Sequence, residues 1–229
     1  MSTTALIVAA GQSTRFGGEL PKQFVTVSGR PLLSWTISRF EAAHSIERIV
    51  VVVSSDYLLF TGDNVVDPFG FEKVYKIVSG GATRQESVLM GLLSMPISTK
   101  YVAIHDGARP LVHPGDIDSA VAKAHEGGAA MLATPVTDTV KRVEDQVVVA
   151  TLDRRRLFLA QTPQVFEYEM IFKAHREHPA SVTDDASLVE SRGLAVHVVE
   201  PAWPNIKVTT PNDLLMVEVM LEQELYEQN

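Results

Sequence analysis

The chain has 229 residues, 45% of them hydrophobic, a formal charge of −8 and no cysteine. That size and apolar content fit one α/β domain with a full core, whereas the acidic balance disfavours a broad nucleic-acid footprint and the missing thiols exclude disulfides, thiol catalysis and cysteine-ligated metals. The N-terminus MSTTALIVAAGQ has no basic segment, and its apolar run is too short for a signal peptide or membrane span, so a cytoplasmic protein without a membrane partner is expected.

The first apolar run, ALIVAA at 5–10, predicts a buried strand that gives way at once to a loop of small residues. PLLSWTISRFEAA (31–43) has helical spacing, and RIVVVVS (48–54) and KVYKIVS (73–79) read as further strands. TRQESVLMGLLSM (83–95) predicts a helix, KYVAIHD (100–106) a strand, and PGDIDSAVAKAHEGG (114–128) a helix that opens on proline and closes on glycine. AAMLATPV (129–136) returns a strand. Buried strands alternating with amphipathic helices imply a mostly parallel sheet covered on both faces.

From Val136 the pattern breaks. TDTVKRVEDQVVVATLDR reads as two alternating strands joined at Glu144–Gln146, too polar to be core, and predicts a projecting β-arm at about 136–154. LAVHVVE (194–200) predicts a last strand, and a capped helix closes the chain after Thr209–Thr210. The expected architecture is a single doubly wound α/β domain over residues 1–229 that carries this arm, with no internal repeat or low-complexity tract.

In open α/β sheets, ligands bind beyond the carboxyl ends of the strands. Loops at such ends carry the chemistry here. Ala9–Lys22 combines Gly11, Gly17 and Gly18 with Arg15 and Lys22, a composition that admits phosphate oxygens and neutralises them. It is neither GxGxxG nor a Walker loop, and an ordinary turn is the alternative. In HDGARP (105–110), Asp106 ends a strand and suits Mg²⁺, which takes one or two carboxylates and shares substrate phosphates; the alternative is a cap on the Pro110 turn. Arg109 calls for a second anion nearby. In NIKVTTPNDL (205–214), Lys207 reads as a lysine inside an apolar strand that must snorkel or find an anion. SGGATRQES (79–87) offers a Gly-Gly turn suited to reading a base edge through backbone, or a plain strand–helix turn. His175 and His178 read as a solvated helix face, and Asp184–Asp185 as helix-opening acids after Thr183. No G-x-S-x-G, H-E-x-x-H or EF-hand pattern occurs.

The ordered set AAGxxxR, PKQ, GGxxRxxS, HDxARP, DTVKR, DR, QTPQ, TDDAS, NIKVT, running from Ala9 to Thr209, resembles the 2-C-methyl-D-erythritol 4-phosphate cytidylyltransferase family of the non-mevalonate isoprenoid pathway. The resemblance implies a Rossmann-like nucleotidyltransferase fold with a mostly parallel sheet. It also implies CTP as co-substrate, a Mg²⁺ requirement, methylerythritol phosphate as acceptor, and a homodimer interlocked through the β-arm. It gives Arg15, Lys22 and Lys207 catalytic roles toward the triphosphate and the attacking phosphate, and makes Asp106 the metal-binding carboxylate beside the nucleotide. Arg109, Thr139, Arg154, Thr162 and Thr183 match positions that hold the acceptor, with Thr139 and Arg154 serving the partner subunit's site. Ala9, Ala10, Gly11, Gly81 and Ser87 match the cytosine and ribose contacts.

The sequence departs from the family at Ser13, where a glycine is usual, at Ala82, where some relatives carry an acid, and at Gly107, commonly alanine. A ribitol 5-phosphate cytidylyltransferase shares PKQ and QTPQ, but HDGARP and TLDRRRLFLAQTPQ resemble the methylerythritol branch more. A non-catalytic nucleotide-binding module would not need Arg15, Lys22, Asp106 and Lys207 together. A sugar-1-phosphate nucleotidyltransferase does not suit PKQF and NIKVT.

Overall fold

The computed structural model describes residues 1–11, 16, 20–177 and 182–227. The chain begins with β1 (Thr3–Val8), a small hairpin of β2 (Thr26–Val27) and β3 (Arg30–Pro31), α1 (Leu32–Ala42) and β4 (Arg48–Val53). A short α2 (Leu58–Thr61), β5 (Val74–Ser79), α3 (Arg84–Leu93), β6 (Tyr101–Asp106), α4 (Pro114–Gly127) and β7 (Ala129–Pro135) follow. The hairpin β8 (Lys141–Glu144) and β9 (Val147–Thr151) precedes β10 (Phe158–Glu167), α5 (Tyr168–Glu177), α6 (Ala186–Glu190), β11 (His197–Val199) and α7 (Pro211–Glu227).

The main sheet has the order β11-β7-β10-β6-β1-β4-β5. Every pairing in it is parallel except those of β10, which runs antiparallel to both β6 and β7. The expected parallel sheet is therefore present with one reversed strand. β10 was not anticipated, because QTPQ carries a proline that cannot donate to a ladder and reads as a strand breaker. The ladder to β7 does shift between Ala160 and Gln164, around Pro163.

Successive residues of the central strands face opposite cores. Ala5 and Ile7 of β1 join Leu33, Ile37 and Phe40 of α1 and Ile117, Val121 and Ala124 of α4 on one face. Leu6 joins Val88 and Leu92 of α3, Ile171 of α5 and Leu188 of α6 on the other. Burial on both faces explains why these strands read as continuous apolar runs. Val217 and Leu221 of α7 pack with Leu32, Trp35 and Val208 in a third cluster on the flank. Strand order reverses between β1 and β6, which run parallel: β4 and β5 lie on one side of β1, β6 on the other. Beyond the carboxyl ends of β1 and β6 such a reversal opens a crevice.

Local chemistry sets the boundaries. Thr83 and Glu86 form a reciprocal capping box at α3. Pro114 starts α4, and Gly128 ends it at φ 84°. At α7 the Thr210 hydroxyl accepts from the Asp213 amide, while Asp213 accepts from the Thr209 and Thr210 amides, the cap expected of these threonines. The arm turns at Asp145 and Gln146, both at positive φ, a two-residue hairpin turn. It exposes Val143, Val147 and Val148.

Three expectations need correction. Lys207 is not inside a strand: residues 200–210 form none, and the lysine sits on an irregular segment tied down by the Val208 amide donating to the Ala108 carbonyl at 2.8 Å. The strand expected at 194–200 is only the three residues of β11. His175 does not face solvent, for it is 4% exposed within the core beside α6. His178 lies outside the described residues, as do Arg15, Ser13, Gly17 and Gly18.

Candidate active site

A cavity of about 710 Å³ opens at the carboxyl ends of β1, β4, β5 and β6. Ala9–Gly11, Ser54–Ser55, Gly80–Arg84, Ser87, Asp106–Ala108, Lys22 and Lys207 line it. Each loop contributes for a local reason. In PKQF, Phe24 is buried against Tyr57, ring centroids 4.8 Å apart, which anchors the short turn Lys22–Phe24. The Gln23 amide then donates to the Ala9 carbonyl at 2.7 Å and the Gly11 carbonyl at 3.2 Å, holding the loop after β1. With its neighbours so fixed, Lys22 is left on the cavity wall, donating to the Val208 carbonyl at 2.6 Å.

Across the cavity, the Ser87 hydroxyl accepts from the Gly81 amide at 3.1 Å and donates to the Thr83 carbonyl at 2.8 Å, shaping the Gly-Gly turn. A Cβ on Gly80 would come within 2.6 Å of the Ala10 Cβ, so only glycine lets the two loops approach this closely.

Asp106 is the centre of charge. Its Oδ2 lies 2.8 Å from Lys207 Nζ and 3.5 Å from Arg109 Nε, and its Oδ1 lies 3.6 Å from Arg84 Nε. Burial works to raise this carboxyl, but Lys207, Arg84 and Arg109 outweigh it and hold the group well below the usual carboxylate range. It is an anion at any working pH. Lys207 thus has the anion its setting required.

Beneath Asp106 runs a buried relay. The Asp106 amide donates to the Thr162 hydroxyl at 3.1 Å, Thr162 Oγ1 lies 3.0 Å from His105 Nδ1, and His105 Nε2 lies 3.2 Å from the Arg109 carbonyl. A carbonyl only accepts, so Nε2 carries the proton and Nδ1 accepts from Thr162. Burial pushes His105 down to about 3, against the pull of Asp106, which keeps the ring neutral in this tautomer. Arg109 in turn donates through Nη1 to the Asn205 carbonyl at 2.8 Å, and the Asn205 amide donates to the Thr162 carbonyl at 2.8 Å. Arg109, Thr162 and Asn205 are all buried.

The His105 shift has a measurable consequence. The unfolded chain takes up the His105 proton near pH 6.5, the folded chain only near 3, so the unfolded state holds more protons in between. The contribution is complete above pH 6.5 and is lost as pH falls. At about 1.4 kcal/mol per pH unit, lowering pH from 6.5 to 5 should cost about 2 kcal/mol, read as a drop in urea midpoint. His105→Asn should flatten that slope. His125→Asn should leave most of it, although burial also lowers His125, because that ring is only partly covered.

A second buried cluster adjoins the first. Arg84 Nη2 lies 2.7 Å from Asp185 Oδ2, and His175 Nε2 lies 3.0 Å from Asp185 Oδ1. Asp185 is 1% exposed, and although burial acts to raise it, His175 and Arg84 together lower it. Burial would lower Arg84, but Asp185 and Asp106 more than offset that and raise it. Asp185 therefore does not serve α6 as an exposed dipole partner. That role falls to Asp184, whose Oδ1 accepts from the Ser187 amide at 3.2 Å.

Of the sequence candidates, Ala9, Ala10, Gly11, Lys22, Gly81, Ser87, Asp106 and Lys207 converge on one cavity. Arg109 and Thr162 reach it through Asp106. Thr183 is exposed two residues before Asp185. Thr139 and Arg154 do not line the cavity; they are exposed on the arm, where Arg154 donates to the Thr137 carbonyl. Sequence reasoning missed Gln23, Ser54, Ser55, Arg84, His105, His175, Asp185 and Asn205 as parts of the site. Arg84 was visible as the arginine of GGxxRxxS, and His175 stands four residues after the buried Ile171, a spacing that marks the inward face of a helix.

The profile of the family described as 2-C-methyl-D-erythritol 4-phosphate cytidylyltransferase matches residues 3–223. Among curated proteins, the chain is 44% identical over 223 residues to the 2-C-methyl-D-erythritol 4-phosphate cytidylyltransferase of Desulforamulus reducens, covering 96% of this chain and 95% of that one. It is likewise 44% identical over 220 residues to the protein of the same name from Dehalococcoides mccartyi, covering 96% of each. Among solved structures, 4-diphosphocytidyl-2C-methyl-D-erythritol synthase of Anaerococcus prevotii superposes with a TM-score of 0.85 at 27% identity over 96% of both chains. The 2-C-methyl-D-erythritol 4-phosphate cytidylyltransferase of Thermus thermophilus gives 0.79 at 32% identity, over 97% of this chain and 100% of the other.

Proposed function

The chain belongs to the 2-C-methyl-D-erythritol 4-phosphate cytidylyltransferase family, and from that premise we propose roles for its residues in the family's reaction. On a Rossmann-like nucleotidyltransferase fold, it transfers the cytidylyl group of CTP to 2-C-methyl-D-erythritol 4-phosphate, giving 4-diphosphocytidyl-2-C-methyl-D-erythritol and pyrophosphate, a step of isoprenoid biosynthesis. The observation that carries the residue roles is the meeting of Lys22, Lys207 and Asp106 in one cavity with two small-residue turns.

Both reactants are polyanions. An oxygen of the acceptor phosphate attacks the α-phosphorus of CTP, and pyrophosphate leaves from the opposite side. The attacker is already anionic, so no side-chain nucleophile or base is needed; the barrier lies in repulsion and in charge growing on the departing group. Lys22, with Arg15 of the same loop, takes the triphosphate, and Lys207 takes the α-phosphate and the incoming phosphate. The Ala9–Gly11 and Gly81 backbone with Ser87 holds cytosine and ribose. Arg109 and Thr183 hold the acceptor, and Thr162 serves it through the relay to Asp106. Residues 1–229 act as one catalytic unit in this reading.

Mg²⁺ fits this donor set. Among the described residues no cluster of three or more acidic or histidine side chains forms a dedicated cage. Asp106 is the one carboxylate among the described residues that line the cavity, and Mg²⁺ takes one or two carboxylates with the rest of its shell from phosphates and water. Asp106 would hold the ion, which when bound neutralises part of the triphosphate charge.

The arm supports a homodimer. An isolated two-stranded hairpin is marginal in water, and this one exposes Val147 at 63% and Val148 at 56%. In a dimer the arm grips a second copy and delivers Thr139 and Arg154 to that copy's site. CTP as co-substrate suits the cytoplasm, and the charge of −8 disfavours nucleic acid.

Pyrophosphate release with CTP, Mg²⁺ and a panel of polyol phosphates tests the acceptor. Methylerythritol 4-phosphate should exceed ribitol 5-phosphate by at least about tenfold in kcat/KM, the scale on which one pocket separates related substrates, and EDTA should stop turnover. Preference for ribitol 5-phosphate would move the chain to the other branch.

A further inference from the structure

We propose that Arg84 is a positioning residue that straps the nucleotide-side turn after β5 to the acceptor-side segment before α6, through the buried Asp185 and His175. The strap rests on the catalytic reading above and adds a coupling between its two subsites. Arg84 is the first residue of α3, and the Thr83–Glu86 capping box together with the Ser87 hydroxyl ties that helix start to Gly81. Its guanidinium crosses to Asp185 at 2.7 Å, two residues beyond Thr183, and reaches Asp106 at 3.6 Å on the way.

The far end of the strap is rigid. The Asp185 and Ala186 amides donate to Gln164 Oε1 at 3.1 and 2.9 Å, and Gln164 Nε2 donates to Asp184 at 2.9 Å. Gln164 belongs to β10, two residues after Thr162, so the segment is pinned to the strand that carries the relay under Asp106. His175 reaches Asp185 from α5 and occupies its second oxygen. A carboxylate this buried tolerates no missing partner, so the geometry of Arg84 follows Asp185 and the reverse. The nucleotide turn and the acceptor segment therefore shift together. Near-attack geometry between two bound phosphates requires that, since a misplacement of about 1 Å can cost about a hundredfold.

A double-mutant cycle in the full-length protein decides it. Arg84→Gln and Asp185→Asn should each lower kcat/KM for the acceptor by about 10- to 100-fold. The double variant should be no worse than the worse single, because each change alone already breaks the strap. Losses that multiply would mean that Arg84 acts on substrate directly, and unchanged kcat/KM in Arg84→Gln would mean that it positions nothing; either overturns the proposal. Should Arg84→Gln fail to fold by circular dichroism, Arg84→Lys replaces it in the same cycle with the same two criteria. If the wild type makes no pyrophosphate from CTP and methylerythritol phosphate, the proposed function fails on its own. The strap is then judged by the cycle in CTP affinity, measured by calorimetry, with coupling or multiplicativity read as before.

Discussion

Lys22→Ala should lower kcat by about 10²–10³-fold while moving KM for CTP far less. Lys22 stands on the cavity wall with its ammonium at 2.6 Å from the Val208 carbonyl, one residue along from Lys207. Phe24 and Gln23 fix its backbone from the core side, so the charge is delivered without ordering cost at the moment of reaction. A preorganised cation aimed at the departing pyrophosphate interacts more strongly as charge builds than in the ground state. Such an interaction shows in kcat; one made equally with bound CTP would show in KM. Steady-state pyrophosphate release at saturating acceptor separates the two. A raised KM with kcat preserved would make Lys22 a binding residue only.

The legible part of the site is the part where chemistry stands out against its surroundings. Asp106 ends an apolar strand, Lys22 follows a glycine loop, and Lys207 sits among apolar residues; each is anomalous in sequence, and all three meet in space. The relay and the strap were not legible, because their members look ordinary one at a time. Thr162 and Gln164 belong to a polar stretch with a proline, which reads as loop although it forms the reversed strand β10. Asp185 beside Asp184 reads as a helix opener, and only the fold shows that one of the pair turns inward to Arg84 while the other caps. Sheet order was likewise out of reach: local pattern predicts strands and helices, but the pairing of β10 with β6 depends on contacts 56 to 66 residues apart, such as Gln164 against Ile104 and Thr162 against Asp106. Lys207 reads as a strand residue because apolar neighbours mimic one, yet Ile206 and Val208 are apolar because they pack against the α7 cluster.

Arg154→Ala should behave unlike Lys22→Ala, raising KM for the polyol phosphate most strongly, and the two defective proteins should rescue each other when mixed. Arg154 stands on the exposed arm, donating to the Thr137 carbonyl and absent from the walls of its own chain's cavity. In the proposed dimer, an arginine so placed would serve the acceptor phosphate of a second copy, with the arm's exposed valines as the attaching surface. In a heterodimer of Lys22→Ala and Arg154→Ala chains, one of the two sites draws its cavity from the Arg154→Ala chain, where Lys22 is intact. The same site draws its arm from the Lys22→Ala chain, where Arg154 is intact. The other site carries both defects. Random exchange yields half heterodimers, so mixing equal amounts and assaying at acceptor well below KM should restore about a quarter of wild-type activity, far above the residual activity expected if each loss in kcat/KM is about 10²-fold or more. Unfolding is not required if subunits exchange on the assay timescale; otherwise, co-expression with two affinity tags isolates the heterodimer. Purified heterodimer that remains as inactive as its parents would mean that Arg154 serves its own subunit and that the arm does not complete a neighbour's site.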